Sequence, residues 1–146
     1  MINLTDIKKS ITKLLKSKFD YRVHFDNVEK SNEPYFYIEM TPKFKTIDEV
    51  LTSKAIQIDI MLILIPDNFG RIKRSALYDS ACILDNLIRP VINIEDRHIT
   101  ILDSQINFHD EILHYIFDLD FVDCLTDEES ENIIYDLMQN LELNLK

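Results

Sequence analysis

A single glycine, Gly70, occurs in this chain of 146 residues. A dinucleotide-binding GxGxxG turn, a phosphate-binding P-loop and a GxSxG nucleophile elbow each need at least two glycines for close backbone approach, so all three are excluded. Cysteine is also scarce. Cys82 falls in a helical pattern and Cys124 at the end of a strand pattern, with no CxxC spacing and no disulfide framework, so both read as free thiols. No apolar run approaches the roughly 18 residues of a membrane span. The opening MINLTDIKKSITKLL sets charges within its apolar pattern and has no small-residue cleavage site, so neither a signal peptide nor an anchor is expected. A cytoplasmic location follows. Basic residues are few as well: 16 Lys and Arg face 26 Asp and Glu, a formal net charge of −10. Tight binding to a phosphate backbone draws most of its affinity from Lys and Arg displacing counterions, so nucleic acid is not expected as a high-affinity ligand.

What is present is a hydrophobic content of 46%, enough for one folded domain over residues 1–146 with one core. The stretch Lys54 to Asp67, KAIQIDIMLILIPD, dominates it. Ile56, Ile58, Ile60, Leu62 and Leu64 alternate with Ala55, Gln57, Asp59 and Met61 before Ile63 and Ile65 make both faces apolar, which predicts a long central strand over Ala55–Ile65. Ile112 to Val122 alternates in the same way, with Leu113, Tyr115, Phe117, Leu119 and Phe121 on one face and His114, Asp118 and Asp120 on the other. The two strands are expected in one sheet.

Around them the chain reads in order. Thr5 or Asp6 caps a helix with the stripe Ile7, Ile11, Leu14 and Leu15. Short strands follow at Tyr21–Phe25 and from Tyr35 to Pro42, where a residue without an N–H is expected to end the ladder. Pro42–Ser53 lacks clean periodicity and reads as a surface excursion with a helical turn over Ile47–Leu51. After the long strand, Pro66 to Gly70 turns the chain into a second helix over Arg71–Arg89, stopped by Pro90. Val91–Ile94 reads as an edge segment and Arg97–Leu102 as a strand, with Asp103–Asp110 partly extended. Thr126 and Glu129 match a capping box, and Ile133, Ile134, Leu137, Met138 and Leu141 give an acidic C-terminal helix over 126–146 one apolar stripe. The expected fold is α+β: a largely antiparallel or mixed sheet of about five strands, covered by two main helices, plus the C-terminal helix.

Chemistry is harder to find. His24, His98, His109 and His114 lack HExxH spacing, and none has a second ligand one helical turn away. Asp118 and Asp120 with His114 lie on one strand face about 7 Å apart, a spacing that suits a divalent cation or a carboxylate pair. The solvated face of an antiparallel strand has that same pattern, and it is the preferred reading. Asp59 stands alone on its strand without a downstream ExK, so an interstrand or intersubunit hydrogen bond is its expected use. No catalytic residue, metal ligand or cofactor is assigned.

From end to end, the helix IKKSITKLLKSKF, the strand EPYFYIEM, the strand KAIQIDIMLILI, the segment RIKRSALYDSACILDNLIRPVINIEDRHITI, the closing strand ILHYIFDLDFVD and the ending NLELNLK resemble the phage tail terminator family. The resemblance implies a non-enzymatic protein forming a hexameric ring on the head-proximal end of the tail tube. Such a ring halts tube growth and offers a surface to head-completion, collar or neck proteins, and to sheath protein in a contractile tail or tailocin. DNA is then only passing cargo. The implied location is the host cytoplasm during assembly and the virion or tail-like particle afterwards. A ring closes through heterologous interfaces, so each subunit needs two different complementary faces. Candidate interface residues are Lys43, Lys45, Asp48 and Glu49 in the Pro42–Ser53 excursion, and Asn68, Arg71, Lys73 and Arg74 in the Asp67–Arg74 turn. The acidic balance also suits a DNA mimic that inhibits a nuclease, and Asp59, Asp118 and Asp120 a metal-dependent nuclease. Each would be a different class of protein.

Overall fold

The computed structural model describes residues 1–28 and 31–125. In chain order the elements are α1 (Leu4–Lys16), β1 (Arg22–His24), β2 (Tyr35–Thr46), β3 (Leu51–Ile63), α2 (Arg74–Ile88), β4 (Val91–Ile94), β5 (Arg97–Thr100), β6 (Ser104–His109) and β7 (Ile112–Cys124). One five-stranded sheet has the spatial order β1-β2-β3-β7-β6, and β4 with β5 forms a separate ribbon. The β1–β2 pairing is parallel and the other pairings are antiparallel, so the sheet is mixed. The α+β class is as expected. The expected C-terminal helix over 126–146 lies outside the described residues.

The alternation in the two longest strands has the anticipated consequence. β3 and β7 are neighbours, and Ile56, Ile58, Ile60 and Leu62 share one buried face with Leu113, Tyr115, Phe117 and Leu119. α2 packs on β7 through Leu77, Ala81, Leu84 and Ile88, while α1 brings in Ile7, Ile11 and Leu15. Ile92, Ile94 and Ile99 of the ribbon, with Ile101 just after it, complete the cover. The other sheet face, carrying Glu39, Thr41, Gln57, Asp118 and Asp120, is open to solvent among the described residues.

Several boundaries differ from expectation, each for a local reason. Asn3, not Thr5 or Asp6, caps α1: its Oδ1 accepts the Asp6 N–H at 2.9 Å and the Asp6 carboxylate accepts the Asn3 N–H at 3.0 Å, a reciprocal capping box. β2 does not stop at Pro42, and Pro42–Ser53 is not an excursion with a helical turn. β2 and β3 form one long hairpin whose register runs from Tyr35↔Ile63 to Thr46↔Thr52. β1 covers only Tyr35–Tyr37, so among the described residues β2 is an edge from Ile38 onward, the setting in which a strand tolerates proline. The hairpin turn is held by Asp48, whose carboxylate accepts the N–H groups of Val50 and Leu51, both at 2.8 Å. The central strand consequently starts at Leu51 and ends at Ile63, not Ile65. α2 begins at Arg74 instead of Arg71, because Asp67 captures the N–H groups of Phe69 and Arg71 at 2.9 Å each and holds the chain in a turn. Gly70 in that turn has φ +71, a conformation that side chains disfavour. Lys73 occupies the cap position without a side-chain bond. The strand expected over Arg97–Leu102 ends at Thr100, and part of the poorly patterned Asp103–Asp110 stretch is the ordered edge strand β6.

Candidate functional site

The features available for assembly are strand edges and the open sheet face. β2 lacks a described neighbour beyond Tyr37, and Thr41 to Glu49 are all exposed. On the opposite side β6 covers β7 only from Ile112 to Phe117, so the outer edge of β7 from Asp118 onward faces a cleft of about 520 Å³. Ile99, Leu102 and Asp103 form the far wall of that cleft. Arg97 closes its end: the guanidinium donates to the Val122 carbonyl at 2.8 Å and lies 5.1 Å from the centre of the Phe121 ring.

Register places the charges of the open face in rows. Lys43 pairs with Ala55, and Ala55 pairs with Asp120; Thr41 pairs with Gln57, and Gln57 with Asp118. A basic residue on one free edge thus stands level with an acidic residue on the other, with one strand between them. Partial burial, then the charges of Asp120 and Asp103, push the Asp118 carboxyl above its ordinary range. Among the described residues no ion pair engages Lys43, Lys45, Asp118 or Asp120.

The residues expected at interfaces fall into two separate groups. Lys43, Lys45, Asp48 and Glu49 lie on the hairpin arm, while Asn68, Arg71, Lys73 and Arg74 lie beyond the other end of β3. Lys43 is level with Ala55, eight residues from the Ile63 end of β3, so about 26 Å at 3.3 Å per residue separates even this member of the hairpin group from that end. Both groups are exposed. The carboxylate of Asp48 is committed to its turn. Asp59 is not alone: it accepts from His114 Nδ1 at 3.0 Å across the β3–β7 ladder, the interstrand use expected of it. His98 bonds Asn93 across the ribbon, and among the described residues no group of three or more His, Cys, Asp or Glu is arranged to hold a metal ion.

Sequence comparison adds the deciding observation: a family model described as phage tail terminator protein matches residues 6–131. The chain belongs to the phage tail terminator family. No curated protein matches it in sequence. The family is one of structural tail components, and no described helix of this terminator is long and apolar enough to cross a membrane.

Two side-chain networks that hold the terminator's surfaces in place escaped the sequence reading. Lys54 is buried on the core face, where its Nζ donates to the Ile2 carbonyl at 2.8 Å and to Asp123 at 3.1 Å. Asp123 also accepts the Ile2 N–H at 2.7 Å, tying the N-terminus to the end of β7. Burial opposes ionisation of Asp123, but the Ile2 and Cys124 N–H groups and Lys54 outweigh it and hold the carboxyl low. The signal was parity, since Lys54 shares the face of Ile56 and Asp123 that of Phe121. In the second network Asp85 of α2 accepts from Arg89 at 2.7 and 2.9 Å, from the buried Tyr115 hydroxyl at 2.7 Å and from Ser104 at 3.1 Å. These donors, Arg89 foremost, keep Asp85 well below the usual carboxylate range, while burial and then Asp85 push the Tyr115 hydroxyl up to about 12. α2, β6 and β7 are thereby pinned together. No periodicity links Asp85 to Tyr115, so only the tertiary fold reveals that contact.

Proposed function

We propose that this protein caps the head-proximal end of a phage or phage-like tail tube as a closed ring of six copies, ending tube polymerisation and presenting the surface that joins the head. The family match over residues 6–131 carries the reading. The geometry supports it, because among the described residues the sheet has two unlike unpaired edges and an open face, and a closing heterologous ring needs two unlike faces on each copy. The hairpin arm with Lys43, Lys45 and Glu49, and the turn with Asn68, Arg71, Lys73 and Arg74, present separate surfaces to different neighbours. Those neighbours are the adjacent copy, the tube protein and a head-completion or neck protein, with sheath protein added in a contractile particle.

DNA is cargo in this reading and not a ligand. Six copies at −10 each carry a formal charge of −60, which releases no counterions to passing DNA and keeps its adhesion weak. The chemistry of the ring is structural, with no catalytic step. The test is the mass of the purified protein in solution, with images of negatively stained particles. A six-copy mass and closed rings are expected. A protein that stays monomeric at tens of micromolar and in the presence of tube ends would refute the ring.

A further inference from the structure

We infer that copies of this chain join edge to edge, the outer edge of β7 in one copy receiving the Lys43–Thr46 segment of β2 from the next, with Lys43 and Lys45 set against Asp118 and Asp120. The inference rests on the ring reading above and names the contact that closes it.

Among the described residues neither edge is paired with another strand where it is needed; at Val122 the outer carbonyl of β7 is held by the Arg97 guanidinium, which marks the end of the open stretch. β1 leaves β2 uncovered after Tyr37, and β6 leaves β7 uncovered after Phe117, so the unpaired segments lie on opposite sides of the same half of the sheet. Unpaired strand edges are templates for another strand. Strand direction also fits: β2 and β7 are each antiparallel to β3 and therefore run the same way, so copies related by rotation about an axis along the strands bring β7 and β2 together in parallel. The row Lys43–Ala55–Asp120 sets the height of the match. With no stagger between copies, Asp120 of one meets Lys43 of the next on the open face; with a stagger of two residues, Asp118 meets Lys43 and Asp120 meets Lys45. Both registers pair opposite charges, whereas a shift of one residue would turn the lysines to the other face.

The side chains between fit as well. Phe44, 56% exposed, points to the other face of the strand, the side on which Leu102, 84% exposed, and Phe121 wall the β7 cleft. Pro42 removes a donor just before the docking segment and limits how far backbone pairing spreads along β2, which leaves the charge row to select the partner. Burial first, and then repulsion from Asp120 and Asp103, raises Asp118, and a lysine beside it offsets the repulsion.

The experiment compares oligomer mass by sedimentation for wild type, Lys43→Glu with Lys45→Glu, Asp118→Lys with Asp120→Lys, and the four substitutions together, each checked for native circular dichroism. Each pair alone is expected to weaken assembly by about ten-fold or more, through like charges placed across the junction, and the combination to recover it. In a Cys82→Ser, Cys124→Ser background, oxidation is expected to give a disulfide-linked ladder with Lys43→Cys plus Asp120→Cys in the unstaggered register or with Lys45→Cys plus Asp120→Cys in the staggered one, and none with Phe44→Cys plus Asp120→Cys. Wild-type rings left unchanged by both charge reversals and uncrosslinked by either lysine-to-cysteine pair would overturn this contact and leave the ring standing. A wild-type protein that never assembles would overturn both.

Discussion

Removing the Asp123 carboxylate tests whether the N-terminus is clamped to the sheet. Lys54 and Asp123 have side chains only 9% and 7% exposed, with Nζ and Oδ2 3.1 Å apart. In Asp123→Ala the Lys54 ammonium keeps one described acceptor, the Ile2 carbonyl at 2.8 Å, and the Ile2 N–H loses its own. Breaking one side of a buried ion pair costs about 3–5 kcal/mol, because the remaining charge is left desolvated. Arg97, 38% exposed and 3.8 Å from Asp123, adds little. With a urea slope of about 2 kcal/mol/M, a loss of about 4 kcal/mol lowers the unfolding midpoint by about 2 M. In a Lys54→Met background the same change orphans the buried Ile2 N–H and the half-buried Cys124 N–H without stranding a charge, about 2 kcal/mol, so the cycle is expected to show coupling of about 2 kcal/mol. Urea titrations of the four proteins followed by circular dichroism give all the terms. A loss below about 1 kcal/mol for Asp123→Ala, or a strictly additive cycle, would refute the clamp.

Further consequences are open to similar measurement. Ile60→Ala and Phe117→Ala each remove a fully or almost fully buried side chain from the β3–β7 core and are expected to cost about 2–5 kcal/mol; losses below about 0.5 kcal/mol at both would contradict that core. Asp85 and Asp123 are both held below their unfolded values, so the stability they contribute is present above about pH 4 and lost as pH falls; acid titration of Asp85→Asn is expected to be flatter than wild type, and an unchanged slope would count against the network. Asp110 and Glu111 form the β6–β7 turn at φ 52 and 62, where a glutamate is strained, so Glu111→Gly is expected to raise the melting temperature, by about 1 kcal/mol of added stability.

The long strands were legible because a period of two repeated over Ala55–Met61 and Ile112–Val122 admits no other regular structure, and the resulting sheet fixed which face is core. The hairpin arm was not. Thr41–Glu49 is exposed on every residue, so it carries no hydrophobic period, and Pro42 reads as a stop unless β1 is known to end at Tyr37. The start of α2 lies later than its pattern implies because Asp67 holds the backbone N–H groups two and four residues on, at Phe69 and Arg71, and periodicity does not register such bonds. Lys43, Lys45 and Arg71 were candidates for an interface because a closing ring needs two unlike faces and they lie on its two candidate loops, but the level match of Lys43 with Asp120 exists only once β3 is seen between them. Asp118 and Asp120, which in sequence read as the solvated face of a strand, are placed by the register level with Thr41 and Lys43 of the opposite edge, and it is that row which motivates the proposed contact between copies.

The central claim is that this protein ends tube growth, and the direct measurement is tube length. Tail tube protein is polymerised in the presence of increasing amounts of the purified protein, and lengths are read from electron micrographs. Shorter tubes with a ring at one end, at protein levels stoichiometric with tube ends, are the expected result. Unchanged lengths and bare ends at saturating protein would contradict the account.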